Sequence, residues 1–218
     1  FIELSFDTIC AYGPNAAMMH YAATPGSDAE LKPEGFLLVD SGGHYLEGTT
    51  DITRTFALGA LTDEEKQHFT AVCRSNMNLA NAKFLYGCCG INLDILARGP
   101  LWDLGIDYRC GTGHGVGHIL NVHEGPNGFR WKIVPERNDS GKLEEGMITT
   151  DEPGVYIEGK YGIRTENLIL TVHHSTTDFG DFNAFETLTF FPIDKKAIDI
   201  TLLTADEKEW LNNYHKTV

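Results

Sequence analysis

Two strand–turn–strand segments, well separated in the chain, each carry two acids where acids are disfavoured. The first places Asp40 at the end of the apolar run Gly35-Phe36-Leu37-Leu38-Val39, and Asp51 among Thr49, Thr50, Ile52, Thr53 and Thr55. The second places Glu152 beside Pro153-Gly154, and Glu166 just before Leu168-Ile169-Leu170. Strand-forming sequence is depleted in acids, and a carboxylate beside a buried apolar run needs a cationic partner or a metal. A fold that pairs these segments brings four carboxylates towards one centre and must balance their charge.

Read one at a time, these residues have plainer roles. Asp51 fits an edge-strand acid paired with Arg54 or hydrogen-bonded to threonine hydroxyls, and Glu152 fits a turn acid. Arg164 and Glu166 share a strand face by the period-2 rule, which also describes a surface ion pair. His114 sits in Gly111-Thr112-Gly113-His114-Gly115-Val116-Gly117-His118. No Lys-Ser/Thr follows that glycine-rich run, which excludes a P-loop. His20, His118 and His123 each fit a polar loop histidine. Together, however, Asp40, Asp51, His114, Glu152 and Glu166 make a hard, oxygen-rich donor set, better suited to two divalent ions than to a thiolate zinc site. Two such ions roughly 3.5–4 Å apart would acidify a shared water and polarise a carbonyl. The same acids without cations would repel and titrate as a coupled set.

Composition narrows the alternatives. The 218 residues carry 17 Lys and Arg against 31 Asp and Glu, a net charge of −14. A phosphate-backbone binder needs the opposite sign, so nucleic acid and anionic membrane surfaces are excluded as expected partners. No apolar stretch approaches the roughly 18 residues of a membrane span. The five cysteines include the vicinal pair Cys88-Cys89 and no C-x-x-C. That is neither a disulfide framework nor a zinc ribbon, and it points to a reducing, cytoplasmic setting.

No linker or low-complexity segment divides residues 1–218, which read as one domain. Phe1 already lies in a strand-like run, so the chain is expected to start inside a longer protein. Residues 1–10 read as a strand, Gly13-Pro14-Asn15 as a turn, and 35–40, 49–58, 147–151, 162–172 and 185–192 as strands. Thr62 with Glu65, and Thr204 with Glu207, have the capping-box form and predict helices after each. Another helix is predicted from Asn92, with a break at Gly99-Pro100. Helices and strands mix without a βαβ rhythm, which gives an α+β class.

The order and spacing of the motifs resemble the pita-bread dinuclear metallopeptidases, and within them the aminopeptidase P (Xaa-Pro aminopeptidase) family. The resemblance covers nearly the whole chain. It rests on Gly13-Pro14-Asn15-Ala16-Ala17 with His20-Tyr21, on Asp40-Ser41-Gly42, on Gly48-Thr49-Thr50-Asp51-Ile52-Thr53-Arg54-Thr55, and on Gly111 to Gly117. It continues through Leu120-Asn121-Val122-His123-Glu124-Gly125-Pro126, Thr150-Asp151-Glu152-Pro153-Gly154, Gly162-Ile163-Arg164-Thr165-Glu166-Asn167 and Trp210 to His215.

The resemblance implies a curved, mainly antiparallel sheet with helices on its outer face and two pseudo-two-fold halves. It implies release of an N-terminal residue from peptides with proline second, through attack by a hydroxide bridging two divalent ions. Mn(II) is the expected metal, with Zn(II), Co(II) and Fe(II) as substitutes. Asp40, Asp51, His114, Glu152 and Glu166 would be the ligands, and Glu152 would also carry the proton. His123 would bond the developing oxyanion, His20 would assist in positioning or proton transfer, and Tyr156 and Arg164 would support Asp40 and the substrate. Upstream creatinase-like domains and a homodimer of the longer protein are also implied. Alternatives within the fold are a prolidase acting on Xaa-Pro dipeptides, a methionine aminopeptidase, and a metal-free binding module. Two positions depart from the family: Cys110 stands where the family often has histidine, and a thiol does not replace an imidazole donor, and Gly99-Pro100 falls where the family usually continues its helix.

Overall fold

The computed structural model describes residues Phe1–Val218. Every ladder between its strands is antiparallel. The first half contains β1 (Glu3–Leu4), β2 (Ile9–Tyr12), a 3-10 turn (Gly13–Ala17), β3 (Phe36–Ser41), β4 (Gly43–His44) and β5 (Ile52–Ala57). Then come α1 (Asp63–Ala80), β6 (Lys83–Leu85) and α2 (Gly90–Trp102). The second half has β7 (Gly113–Val116), β8 (His123–Phe129), β9 (Ile148–Asp151), β10 (Gly154–Ile157), β11 (Tyr161–Arg164), β12 (Asn167–Thr177), β13 (Gly180–Thr187) and α3 (Ala205–Thr217). This is the expected α+β arrangement.

Strands β2-β3-β5 form one sheet and β6-β13-β12-β9-β7-β8 another, with β1-β4 as a separate pair and β10-β11 as a hairpin inserted in sequence between β9 and β12. The sheets meet at a corner made by threonines. Thr55 Oγ1 donates to the Arg164 carbonyl and accepts the Arg164 N–H, both at 3.1 Å. The Glu166 N–H donates to the Thr53 carbonyl at 3.1 Å. β5 is thereby bonded to the corner between β11 and β12, and the two acid-bearing segments become neighbours.

Helix α1 starts at Thr62, whose hydroxyl accepts the Glu65 N–H while the Glu65 carboxylate accepts the Thr62 N–H. Its inner face carries Phe69, Val72, Cys73 and Met77, all buried against Phe36, Val155, Ile163 and Leu211. Phe36 and Phe69 stack at 5.9 Å. Each large apolar side chain buried this way contributes about 1.5–3 kcal/mol relative to exposure, so this cluster fixes α1 against β3, β10, β11 and α3. Thr204 and Glu207 cap α3 in the same manner. Arg74 then reaches from α1 to Glu207 at 2.8 Å.

Several boundaries differ from the sequence reading. Residues 1–10 form two short strands, each bonded to a different neighbour. The run 162–172 is interrupted at Thr165-Glu166, so Arg164 ends one strand while Glu166 lies in the break just before the next. The last strand is Gly180–Thr187, which ends well before Pro192. Helix α2 runs through Gly99-Pro100 without a break. Pro100 sits in its last turn, where one lost backbone bond is offset by burial of Ala97, Pro100 and Leu101.

Candidate metal centre

The corner between the sheets opens into a cleft of about 620 Å³ whose lining includes every candidate site residue named from the sequence. Asp40 is the penultimate residue of β3 and pairs in register with Thr53 of β5. Asp51 lies just before β5, His114 on β7, Glu152 just after β9, and Glu166 between β11 and β12. Ligand atoms of Asp51, His114 and Glu166 all fall within 4.8 Å of one another. His114 Nε2 is 3.5 Å from Asp51 Oδ2 and 3.3 Å from Glu152 Oε1.

Glycine makes this approach possible around His114. A Cβ on Gly113 would lie 1.8 Å from the Thr150 carbonyl oxygen, and one on Gly115 would lie 2.0 Å from that of Glu124. Only residues without a Cβ let β7 sit this close to its neighbours. His114 Nδ1 is 2.9 Å from the Gly115 carbonyl oxygen. That bond places the proton on Nδ1 and leaves the Nε2 lone pair facing the acids, the tautomer a metal ligand needs.

The acids are held by groups that the sequence reading passed over. Thr53 Oγ1 donates to Glu166 Oε2 at 2.6 Å and accepts Arg164 Nε–H at 3.0 Å. Thr150 Oγ1 accepts the His114 N–H and donates to Glu152 Oε1, both at 2.9 Å. Each threonine stands two residues from an acid, Thr53 from Asp51 and Thr150 from Glu152, so strand alternation was the available signal. Arg54 does not pair with Asp51. It turns to the opposite side and bonds the Glu166 carbonyl at 2.5 Å, the Thr53 and Phe191 carbonyls, and the Tyr214 hydroxyl at 2.6 Å. It thereby ties the floor of the cleft to α3.

Arg164 extends Nη2 to Asp40 Oδ2 at 2.6 Å and Nη1 to the Tyr156 hydroxyl at 2.8 Å. The other oxygen of Asp40 is buried and has no hydrogen-bond partner. Burial pushes the Asp40 carboxyl above its usual range, with Asp51 adding repulsion and Arg164 opposing. Burial likewise raises Glu166 well above the ordinary value, with Asp51, Asp40 and Glu152 all adding to the rise. Glu152 is pushed up to about 7, chiefly by burial, against the pull of His114. Burial opposes protonation of His114, but Asp51 and Glu152 outweigh it and raise its pKa. An orphaned buried carboxylate oxygen, mutually repelling acids and one imidazole lone pair form a donor set that divalent cations would satisfy.

His123 begins β8 and meets the His114 ring edge-to-face, with centroids 4.2 Å apart. Desolvation, with the charge of His114, lowers its pKa to about 4. His20 is exposed at the cleft edge, and His118 is exposed but does not line it. Cys110 also lines the cleft, and burial raises its thiol pKa to about 11.

The match to Metallopeptidase family M24 over residues 1–173, with the C-terminal region of peptidase M24 over 181–218, shows that the chain belongs to that family. It is 46% identical over 218 residues to a probable Xaa-Pro aminopeptidase P of Laccaria bicolor, covering 99% of this chain and 34% of that protein. It is 48% identical over 219 residues to aminopeptidase P1 of Arabidopsis thaliana, covering 99% of this chain and 33% of the relative. The chain thus spans about a third of the length of the curated relatives it matches.

Among solved structures it superposes on an X-prolyl aminopeptidase of Caenorhabditis elegans, described as a cytosolic enzyme with a di-nuclear active site. The TM-score is 0.91 at 42% identity, over 100% of this chain and 35% of that one. A prolidase from Pyrococcus furiosus is similar with a TM-score of 0.68 at 29% identity, over 86% of this chain and 50% of that one. The expected pita-bread architecture is therefore the observed one.

Proposed function

We propose that residues 1–218 form the catalytic domain of an Xaa-Pro aminopeptidase, which hydrolyses the bond between an N-terminal residue and a following proline. The convergence of Asp40, Asp51, His114, Glu152 and Glu166 on one cleft carries this reading. The proline preference comes from the likeness to the fungal, plant and nematode enzymes. Two divalent ions, Mn(II) by preference, bound by these five residues would acidify the attacking water and polarise the scissile carbonyl.

The chain's own groups then have distinct tasks. Thr150 occupies Oε1 of Glu152, which leaves the other oxygen to take the proton from water and deliver it to the proline nitrogen. His123, kept neutral by its low pKa, donates from its single N–H to the carbonyl oxygen as charge builds there. Arg164 fixes Asp40 and, through the Tyr156 hydroxyl, the adjoining wall. His20 at the edge positions the substrate. A cytoplasmic location and a homodimer of the longer protein belong to the same reading. No helix here is long and apolar enough to cross a membrane.

The test is hydrolysis by metal-stripped protein reloaded with Mn(II), using an Xaa-Pro-Xaa tripeptide, an Xaa-Pro dipeptide and a Met-Ala-Xaa peptide. Tripeptide cleavage that is lost in Glu152→Gln is expected. Cleavage of the dipeptide alone would make the protein a prolidase, and cleavage of the Met-Ala peptide alone would make it a methionine aminopeptidase.

A further inference from the structure

Arg98 on α2 is fully buried, as is Asp94 one turn before it. Its Nε donates to Asp94 Oδ2 at 2.6 Å. Its Nη1 donates to Asp107 Oδ1 and to the Tyr108 carbonyl, and Nη2 donates to the Cys110 carbonyl, all at 2.7 Å. The guanidinium also lies 3.9 Å from the Tyr108 ring centroid. Four of its five N–H groups are therefore committed, three of them to the segment between Asp107 and Cys110.

The other oxygen of Asp94 accepts the Thr112 hydroxyl at 2.5 Å. With its proton given to Asp94, the Thr112 hydroxyl accepts from the Tyr108 hydroxyl, also at 2.5 Å. Thr112 is a junction in its backbone as well. Its N–H donates to the Phe129 carbonyl, and its carbonyl accepts the Glu152 N–H, each at 2.8 Å. None of Asp94, Arg98 or Thr112 lines the cleft, whereas Cys110, Gly111 and Glu152 do.

We propose that Asp94 and Arg98 are positioning residues for the cleft. Through the Tyr108 and Cys110 carbonyls they hold one wall, and through Thr112 they set the backbone position of Glu152. A buried ion pair is weak evidence for stability in itself. This one is spent on backbone carbonyls of a cleft wall rather than on joining two elements of the core. The inference rests on reading the cleft as a metal centre.

Thr112→Val keeps the side-chain shape and removes only the hydroxyl, and Arg98→Lys keeps the charge and loses the fork. Amide exchange at Glu152 and Mn(II) affinity would be measured in both, with Thr112→Ser as the rescue. Thr112→Val is expected to retain a cooperative unfolding transition, exchange the Glu152 amide faster, and bind Mn(II) about 10–100-fold more weakly. Thr112→Ser should recover both values. Wild-type exchange and wild-type Mn(II) affinity in Thr112→Val would overturn the proposal, even if Arg98→Lys failed to fold. Failure of the wild-type protein to bind Mn(II) would overturn the metal-centre reading, while exchange at Glu152 would still decide the positioning.

Discussion

Asp94 and Asp40 are both buried acids facing an arginine, but their surroundings differ. Asp94 has each oxygen bonded, one to Arg98 and one to Thr112, and the arginine is itself enclosed. Asp40 has one oxygen on Arg164 and one on nothing. Three further candidate ligands, Asp51, Glu152 and Glu166, are among the acids that share the cleft with Asp40, and Arg164 is the only arginine bonded to any of these four carboxylates. The first region is complete within the chain. The second has an excess of acidic groups and a buried carboxylate oxygen with no partner, and cations from outside would bring it to the same balance.

Opposite responses to mutation would follow. Arg98→Leu should cost about 3–5 kcal/mol, because it strands Asp94 in an enclosed site, and urea unfolding measures it directly. The next effect is one of pH, in the presence of a chelator. Glu152 has a folded pKa of about 7 against an ordinary 4.5, so the folded state binds the extra proton. Its contribution is intact below the ordinary value and is lost as pH rises towards 7. Stability relative to Glu152→Gln should therefore fall over that window, a comparison that cancels the opposite contribution of His123, whose lowered pKa favours folding as pH rises, and saturating Mn(II) should flatten or invert the difference. Thermal unfolding from pH 4.5 to 7 with and without metal would show it.

Glu166→Gln should raise stability in chelator by about 1 kcal/mol, through relief of like-charge repulsion, while removing metal-induced stabilisation. A fall in stability in chelator would place Glu166 in the self-sufficient class with Asp94. The smallest effect belongs to the exposed pair of Lys160 and Glu64, at 3.0 Å. Lys160→Ala should leave the unfolding midpoint unchanged, as expected for a solvated ion pair.

What the sequence revealed about the two regions differs for a physical reason. Asp40, Asp51 and Glu166 stood out because each sits in or beside sequence that favours strands and burial, Glu152 stood out through its place in the Thr150 to Gly154 motif, and glycines flank the histidine that joins them. Their convergence follows from strand pairing, which motif order could anticipate. The supporting hydroxyls of Thr53 and Thr150 were less visible, since threonine is also an ordinary strand former. Arg54 looked like a partner for Asp51, yet it faces α3. That contact joins residues far apart in sequence, which local pattern does not encode. The Asp94–Arg98 pair has i, i+4 helical spacing, common on solvated helix faces, so nothing local marked it as buried. The break at Thr165-Glu166 and the passage of α2 through Pro100 were decided by tertiary bonding that outweighs local preference.

The central claim is that the cleft is built to be completed by two cations. Calorimetric titration of Mn(II) into chelator-stripped protein at pH 7, on the wild type and on Asp51→Asn, tests it most directly. The account predicts two ions per chain in the wild type and loss of tight binding in Asp51→Asn. No binding in the wild type, or undiminished binding in Asp51→Asn, would contradict it.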